Sequence, residues 1–371
     1  MAGTIGVIVF FLALVIVIVV HEAAHFGMAK RFGIKVEEFF VGFGPKVWSV
    51  RRGETEYGLK AIPAGGYVRI AGMNPFQPGR PEDLSRTFGA KPVWQRALVI
   101  AAGPATHFVL AFVFFALWLG IVGQPVLHSP LVASVAPRLA GAPSPAAEVG
   151  LRVGDRIVRV GPIEDPSPFE LVRYTRAHVG EPVPFEIQRD DRTFRVSMTP
   201  VLSTVDGEQV GRVGVLLGPE HVGPVDAILG AGGVLGDAVV RTVQGFGRIF
   251  GPEGIGRIFT LLFTNAPRTA GDPASVVGIG RAVGQTASSG SFWNLFYIFG
   301  LVNVFIGLLN LLPLPPFDGG HLAVLAVEKI RGRAVDMRKL VPISAAVAAF
   351  FVLFTFAVVY LDIAKPFTLR P

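Results

Sequence analysis

The chain has 371 residues, of which 51% are hydrophobic and only 16% charged, and it contains no cysteine. A soluble protein carries about 25% charged residues, so the composition leans to the bilayer, and the lack of cysteine excludes disulfides, thiolate nucleophiles and cysteine-based zinc sites. The formal net charge of +7 would suit a nucleic-acid partner only if it were gathered into one basic patch, and its distribution along the chain argues against that.

No charged residue occurs from Met1 to Val20. The run lacks the basic start and small-residue cleavage pattern of a signal peptide, so residues 1–30 read as a retained transmembrane helix. Its end reads VIVVHEAAHFGMAK. On a helix, His21 and His25 stand one turn apart and present both imidazoles to one side, which suits two ligands of a single Zn²⁺, with Glu22 beside them as base for a metal-bound water. Lys30 lies about 13 Å along the helix from His21. If Lys30 marks the membrane surface, the motif sits within the hydrocarbon and needs a water-filled cavity.

Residues 31–96 mix basic residues with Gly-rich apolar pieces, and their alternation, with GFGP and AGG breaks, predicts short strands joined by turns. Phe39, Phe40, Phe43, Trp48 and Tyr67 suit strands that dip into the membrane interface; a plain cytosolic hairpin is the alternative. A second span is expected over 97–122, where AAGPATHF places His107 inside the apolar run. That histidine suits cavity lining or a helix-to-helix hydrogen bond better than metal ligation.

Residues 123–290 hold fifteen Arg, no Lys and sixteen acidic residues, whereas residues 30–96 hold twelve Lys and Arg against six Asp and Glu. The basic excess therefore lies in the short connections. By the positive-inside rule, 31–96 and the loop 319–339 are cytoplasmic, while a domain at 123–220, both termini and the tail 362–371 are outside. Within 123–220, the string GLRVGDRIVRV resembles the PDZ signature and predicts an α+β unit with strands around a helix at about 167–177; such domains take extended peptide on a sheet edge. Residues 221–291 read as a Gly-rich amphipathic linker region, with helices on the outer surface or a re-entrant element at 225–265. Spans three and four are expected at 292–318 and 340–361.

The third span leads into NLLPLPPFDGGH. Asp318 sits there in a Pro and Gly turn, far enough away in sequence to come from a helix facing the first. Two His nitrogens and one carboxylate leave a fourth tetrahedral position open, the pattern of a catalytic zinc site. Capping of a helix is the plainer role for Asp318. Asn310 could offer its amide to substrate or to a developing oxyanion, or could serve helix packing.

The chain resembles the intramembrane site-2 metalloprotease family, peptidase family M50, in the bacterial regulator-of-sigma-factor branch, and its actinobacterial members in particular. The residues that carry the resemblance are HEAAH at 21–25, VGFGPKVWS at 41–49, GGYV at 65–68, AAGPATHF at 101–108, the single PDZ-like unit and NLLPLPPFDGG at 310–320. The resemblance implies a polytopic α-helical protein of the bacterial inner membrane with four transmembrane helices, a membrane-associated β region and one extracytoplasmic PDZ-like domain. It implies Zn²⁺ on His21, His25 and Asp318 towards the cytoplasmic side, Glu22 as the catalytic residue, and substrate contacts at Asn310, Phe43, Gly65, Gly66 and Tyr67. The implied substrates are single-pass membrane proteins such as anti-sigma factors, cut within the membrane after an upstream site-1 type protease has acted, and also remnant signal peptides. The partners are thus substrate, that protease and the lipid bilayer, with no nucleic acid. His107 stands where relatives commonly have Asn, and there is room for one PDZ unit where some relatives carry two. The rival classes are a PDZ-bearing membrane chaperone or scaffold with a vestigial metal site, which would work without Glu22 or Asp318, and a metal transporter, which would want more polar residues along its spans.

Overall fold

A computed structural model describes residues 2–74, 81–124, 126, 128–205, 208–269, 271–288 and 292–366. It divides into two compact units, Met1–Leu117 with Gly230–Pro371, and Trp118–Leu229.

The first unit is built on apolar helices. Among the described residues, four helices are long and apolar enough to cross a membrane: Thr4–Arg31 within α1 (Ala2–Arg31), α2 (Val93–Val122), Phe292–Asn310 and Arg338–Ala364. A helix of about 20 residues already spans the hydrocarbon, and a helix satisfies its own backbone, so such runs are stable in lipid. Their outward faces carry Ile8, Leu12 and Ile16 on α1 and Val109 and Val113 on α2, all exposed. The chain is a multi-pass membrane protein.

Between α1 and α2 lie β1 (Val36–Arg52) and β2 (Thr55–Ile70), paired as one irregular sheet. Each long strand is bent into two arms. Phe39 and Phe40 have partners on both sides, Tyr57 and Gly58 on one and Val68 and Tyr67 on the other, so the first arm of β1 is central and the Gly66–Ile70 arm of β2 lies at an edge. The bend in β1 falls at Gly42, with φ +90°, where a side chain would also strike the Ile62 carbonyl oxygen at 2.7 Å. The short strands expected from the sequence are these arms. Phe40 is buried, whereas Phe43, Val47, Trp48, Leu59 and Ile62 are exposed.

The second unit is an α+β structure. In chain order it contains β3 (Leu131–Val135), β4 (Arg138–Leu139), β5 (Ala142–Pro143), α3 (Pro145–Glu148), β6 (Arg156–Val160), β7 (Ile163–Glu164), α4 (Pro168–Ala177), β8 (Val183–Arg189), β9 (Arg192–Met198), β10 (Val201–Val205), β11 (Glu208–Arg212) and β12 (Val215–Gly218). The main sheet runs β12-β3-β6-β8-β9, all neighbours antiparallel, with β7 on β6. Val183, Phe185 and Ile187 alternate inward along β8 and meet Val132, Ile157, Val160 and Leu171 in one core. Ser167 and Glu170 form a reciprocal capping box at the start of α4. Asp155, 1% exposed, takes Arg189 in a forked pair at 2.6 and 2.7 Å and the Arg152 amide at 2.8 Å. The chain enters and leaves this unit side by side, Gln124 and Glu220 exchanging backbone hydrogen bonds of 2.8 and 2.9 Å.

The stretch read as an amphipathic linker holds three helices, α5 (Pro224–Phe250), α6 (Pro252–Phe263) and α7 (Val276–Ser288). α8 (Leu295–Asn310) follows, then the turn 311–317, where Pro313, Pro315 and Pro316 lack the N–H a continuing helix needs. Asp318 therefore opens a new helix, α9 (Asp318–Arg331), which occupies much of the stretch expected to be the loop 319–339. Glycines at 319 and 320 permit this sharp return, since a side chain on either would overlap the Leu311–Pro315 backbone. The last helix is α10 (Val341–Ala364). Ring contacts hold α5 in place, Phe246 against Phe305 at 5.2 Å and Phe250 against Phe351 at 5.5 Å. One cluster, with Phe10, Val283, Leu295 and Phe299, joins α1, α7 and α8; another, with Ala29, Val36, Ile70, Val99 and Leu325, joins α1, the sheet, α2 and α9.

Candidate metal centre and active site

His21 and His25 stand on one face of α1, 8% and 9% exposed. Asp318 reaches them from the first turn of α9. The His21 and His25 Nε2 atoms are 3.1 Å apart and lie 3.2 and 3.3 Å from Asp318 Oδ2. A tetrahedral ion with bonds of about 2.0–2.1 Å holds its ligand atoms about 3.3–3.4 Å apart, so the triangle has the dimensions of three zinc ligands. Among the described residues this is the one cluster of His, Asp and Glu able to hold a metal.

The chemistry of the donor set fits as well as its size. His25 Nδ1 lies 2.8 Å from the Val99 carbonyl oxygen. A carbonyl only accepts, so Nδ1 carries the proton and Nε2 of the neutral ring presents a lone pair. His21 Nδ1 lies 3.0 Å from His107 Nε2, and His107 Nδ1 lies 3.2 Å from Asn303 Oδ1. With both rings neutral and Nε2 unprotonated, two lone pairs and a carboxylate oxygen converge with no proton to share, an arrangement that a cation satisfies.

α2 is shaped to admit these rings. A side chain at Gly103 would overlap the His25 imidazole and come within 2.7 Å of His21 Cε1. Pro104, inside the helix, cannot donate to the Ile100 carbonyl, which loosens the turn whose Val99 carbonyl serves His25. α8 approaches through Gly300 and Gly307; side chains there would overlap the Phe115 ring and reach His107 Cβ at 3.0 Å.

Glu22 is next in α1 and lies within electrostatic reach of both histidines and Asp318, facing the Val68 amide. A Cβ on Gly66 would stand 3.5 Å from Glu22 Cγ, so the edge arm of β2 passes directly beside this carboxylate. Phe43 stacks on Tyr67 with centroids 6.4 Å apart, and its ring fills the space a side chain at Gly65 would need; Gly65 itself has φ +139°. Phe43, Gly65, Gly66 and Tyr67 are thus neighbours. The Tyr67 hydroxyl donates to Glu38 at 2.6 Å, and burial together with that carboxylate pushes the phenol up to about 12, so it remains a donor. A cleft of about 620 Å³ runs beside this edge, lined among others by Tyr67, Arg69, Pro315, His321 and Val324. Among the described residues, the Gly66–Ile70 arm has no strand on its cleft side.

Asn310 is the last residue of α8, separated from Asp318 by the turn 311–317. His107 stands behind His21, on the side away from the ligand triangle. The sequence reading did not single out Asn303, His321, the Val99 carbonyl or the steric role of Gly103. Asn303 carried a usable signal, being a buried amide inside an apolar run.

The chain matches Peptidase family M50 over residues 9–355. It is 34% identical to the zinc metalloprotease Rip1 of Mycolicibacterium smegmatis, covering 91% of this chain and 89% of that protein. It is 32% identical to Rip1 of Mycobacterium tuberculosis, covering 98% of each. The regulator of sigma-W protease RasP of Bacillus subtilis is 26% identical over 94% of this chain and 95% of its own length. Among solved structures, the PDZ domain of the SdrC-like protein from Listeria monocytogenes is 24% identical over 24% of this chain and 86% of its own, with a TM-score of 0.20.

Proposed function

The chain belongs to peptidase family M50, and from that premise we propose that this intramembrane zinc metalloprotease cuts single-pass membrane proteins of the anti-sigma-factor type, and remnant signal peptides, within the bilayer. The observation that carries the reading is the His21, His25, Asp318 triangle beside an open strand edge. The name of the Bacillus subtilis relative, a regulator of sigma-W protease, supports the substrate class.

We assign Zn²⁺ to His21, His25 and Asp318, whose two nitrogens and one oxygen suit it and leave one position open. When bound, the ion supplies Lewis-acid chemistry, polarising the scissile carbonyl and making a water acidic. Glu22 takes the proton of the attacking water and returns it to the amide nitrogen as the C–N bond breaks. The substrate lies extended along the Gly66–Ile70 edge, because a peptide bond inside a helix is shielded by its own turn, and strand addition presents it unshielded beside Glu22. Phe43 and Tyr67 flank that edge, Gly65 and Gly66 let the substrate backbone approach, and Asn310 meets the substrate from the end of α8.

The Trp118–Leu229 unit is read as PDZ-like, on its GLRVGDRIVRV string and on a cleft lined by α4, β11 and β12 residues, Leu171, Thr175, Gly211, Val215 and Leu217 among them. In this reading it lies outside the cytoplasmic membrane with both termini and receives substrates already trimmed by a site-1 type protease. Loop charge supports that topology, the cytoplasmic stretches being the basic ones.

The test is cleavage of a single-pass segment lacking its outer domain by purified enzyme. Wild type should hold about one zinc per chain. Glu22→Gln should keep the zinc and lose about 10²–10⁴-fold in rate. Turnover at the wild-type rate in Glu22→Gln refutes the assigned base.

A further inference from the structure

The hydrogen bonds behind His21 have a direction, and it is set two side chains away, at Asn303. The Asn303 amide nitrogen lies 2.8 Å from the Phe299 carbonyl oxygen. A carbonyl cannot donate, so the amide must present its NH₂ there and its oxygen to His107. The facing His107 Nδ1, 3.2 Å away, therefore carries a proton, which leaves Nε2 of the neutral ring as an acceptor. His21 Nδ1, 3.0 Å from that acceptor, donates to it. His21 Nε2 is then left with its lone pair towards His25 and Asp318. Reversing any one link would set two acceptors or two donors against each other in a site where His107 and Asn303 are each 1% exposed.

We propose that His107, itself fixed by Asn303, is a positioning residue that holds His21 in the tautomer and orientation needed to bind the metal. The two imidazole ligands are thus set by the same kind of anchor, a helix carbonyl, reached directly by His25 at Val99 and through two side chains by His21 at Phe299. The difference matters, because a backbone carbonyl survives any substitution whereas His107 and Asn303 do not. The helix contacts serve the relay: Gly307 has no side chain to keep α8 from His107 Cβ, and Asn303 lies one turn before it on the same face. The inference rests on the assignment of zinc to His21, His25 and Asp318, and deepens it.

The experiment is zinc affinity by chelator competition on the full-length protein in detergent, with the visible absorption of the cobalt-loaded form as a second readout. His107→Leu removes both nitrogens at similar bulk and should weaken zinc by about 10–100-fold and alter the cobalt band. His107→Gln offers an oxygen to His21 and an NH₂ to Asn303; it should restore affinity to within about threefold of wild type, with the native cobalt band, as the hydrogen-bond inventory requires. Asn303→Leu frees the far end and should cost about three- to tenfold, less than loss of the direct partner. Wild-type affinity in His107→Leu, or equal loss in His107→Leu and His107→Gln, overturns the proposal. Should His107→Leu fail to fold, wild-type affinity in Asn303→Leu overturns it instead. Absence of zinc from the wild type would sink the metal assignment itself, which keeps the two failures apart.

Discussion

The two units answer their buried polar groups in different ways. In the Trp118–Leu229 unit the partners are nearer in sequence: Ser167 caps α4 with Glu170, Ser144 accepts from the Ala147 amide, and Asp155 takes the Arg152 amide and, across 34 residues, the Arg189 fork. In the helical unit they come from far away, His21 to His107 across 86 residues and His107 to Asn303 across 196. Water surrounds the α+β unit, so a local bond lost at its surface is partly replaced. In hydrocarbon nothing replaces it, and a polar side chain must find its partner within its own helix, as Asn303 does at the Phe299 carbonyl, or on another helix, as His21 does at His107. Substitutions in the helical unit should therefore change chemistry, and those in the α+β unit should change stability and leave the metal alone.

The sharpest way to break that contrast is Gly103→Ala. The added methyl falls on the His25 ring and crowds His21 Cε1. We expect most of the zinc to be lost on purification and cleavage to fall by about 10²-fold or more, the scale of a displacement of about 1 Å at a catalytic group. Metal analysis decides it; full zinc content in the variant would mean that the imidazoles have slack the packing does not suggest.

Asp155→Ala should act the other way, lowering the stability of the α+β unit while zinc affinity stays at the wild-type value. Burial works to raise the Asp155 carboxyl, but hydrogen bonds from Arg189 and the Arg152 amide outweigh it and hold the group below the usual carboxylate range. A depressed group stabilises the fold above its unfolded value, about 3.9, and that contribution drains away as pH falls through the lower folded value. Amide protection in β6 and β8, taken relative to intrinsic exchange at each pH, should accordingly fall below about pH 4 in the wild type and show less of this acid dependence in Asp155→Ala. An unchanged pH profile would remove the ion pair from the account of stability.

Ser167→Ala is the smallest of these effects. Loss of a serine N-cap costs about 1 kcal/mol, so faster exchange confined to α4 and its neighbours is expected, with zinc content untouched. Any loss of metal in this variant would erase the contrast between the units.

Legibility from sequence follows the same division. The spans were readable because hydrocarbon demands long charge-free runs, and the HEAAH spacing declares its own helix face. Asp318 could be paired with that motif from chemistry, although its place at the head of a new helix could not: the return of the chain depends on Gly319 and Gly320 packing against the turn before them. Helices are legible within 221–291, but the glycines of α5 weaken the helical signal and hide its full length from Pro224, while the aromatic contacts of Phe246 and Phe250 that hold it are tertiary and leave no local trace. The Asn303 to His107 link was hidden for a similar reason. Each residue is visible alone, but a pairing across 196 positions is set by helix packing, not by spacing.

The bridge between Gln124 and Glu220 has a consequence of another kind. It brings the incoming and outgoing segments of the α+β unit together by paired backbone hydrogen bonds, so in chain order the unit is a cassette whose two ends meet. Chains that enter and leave a domain together can be opened there with little cost to what lies on either side. Exchange of the segment between the paired residues would leave those two ends as they are, so the α+β unit and the hydrolytic helical unit are free to change at separate rates within one polypeptide.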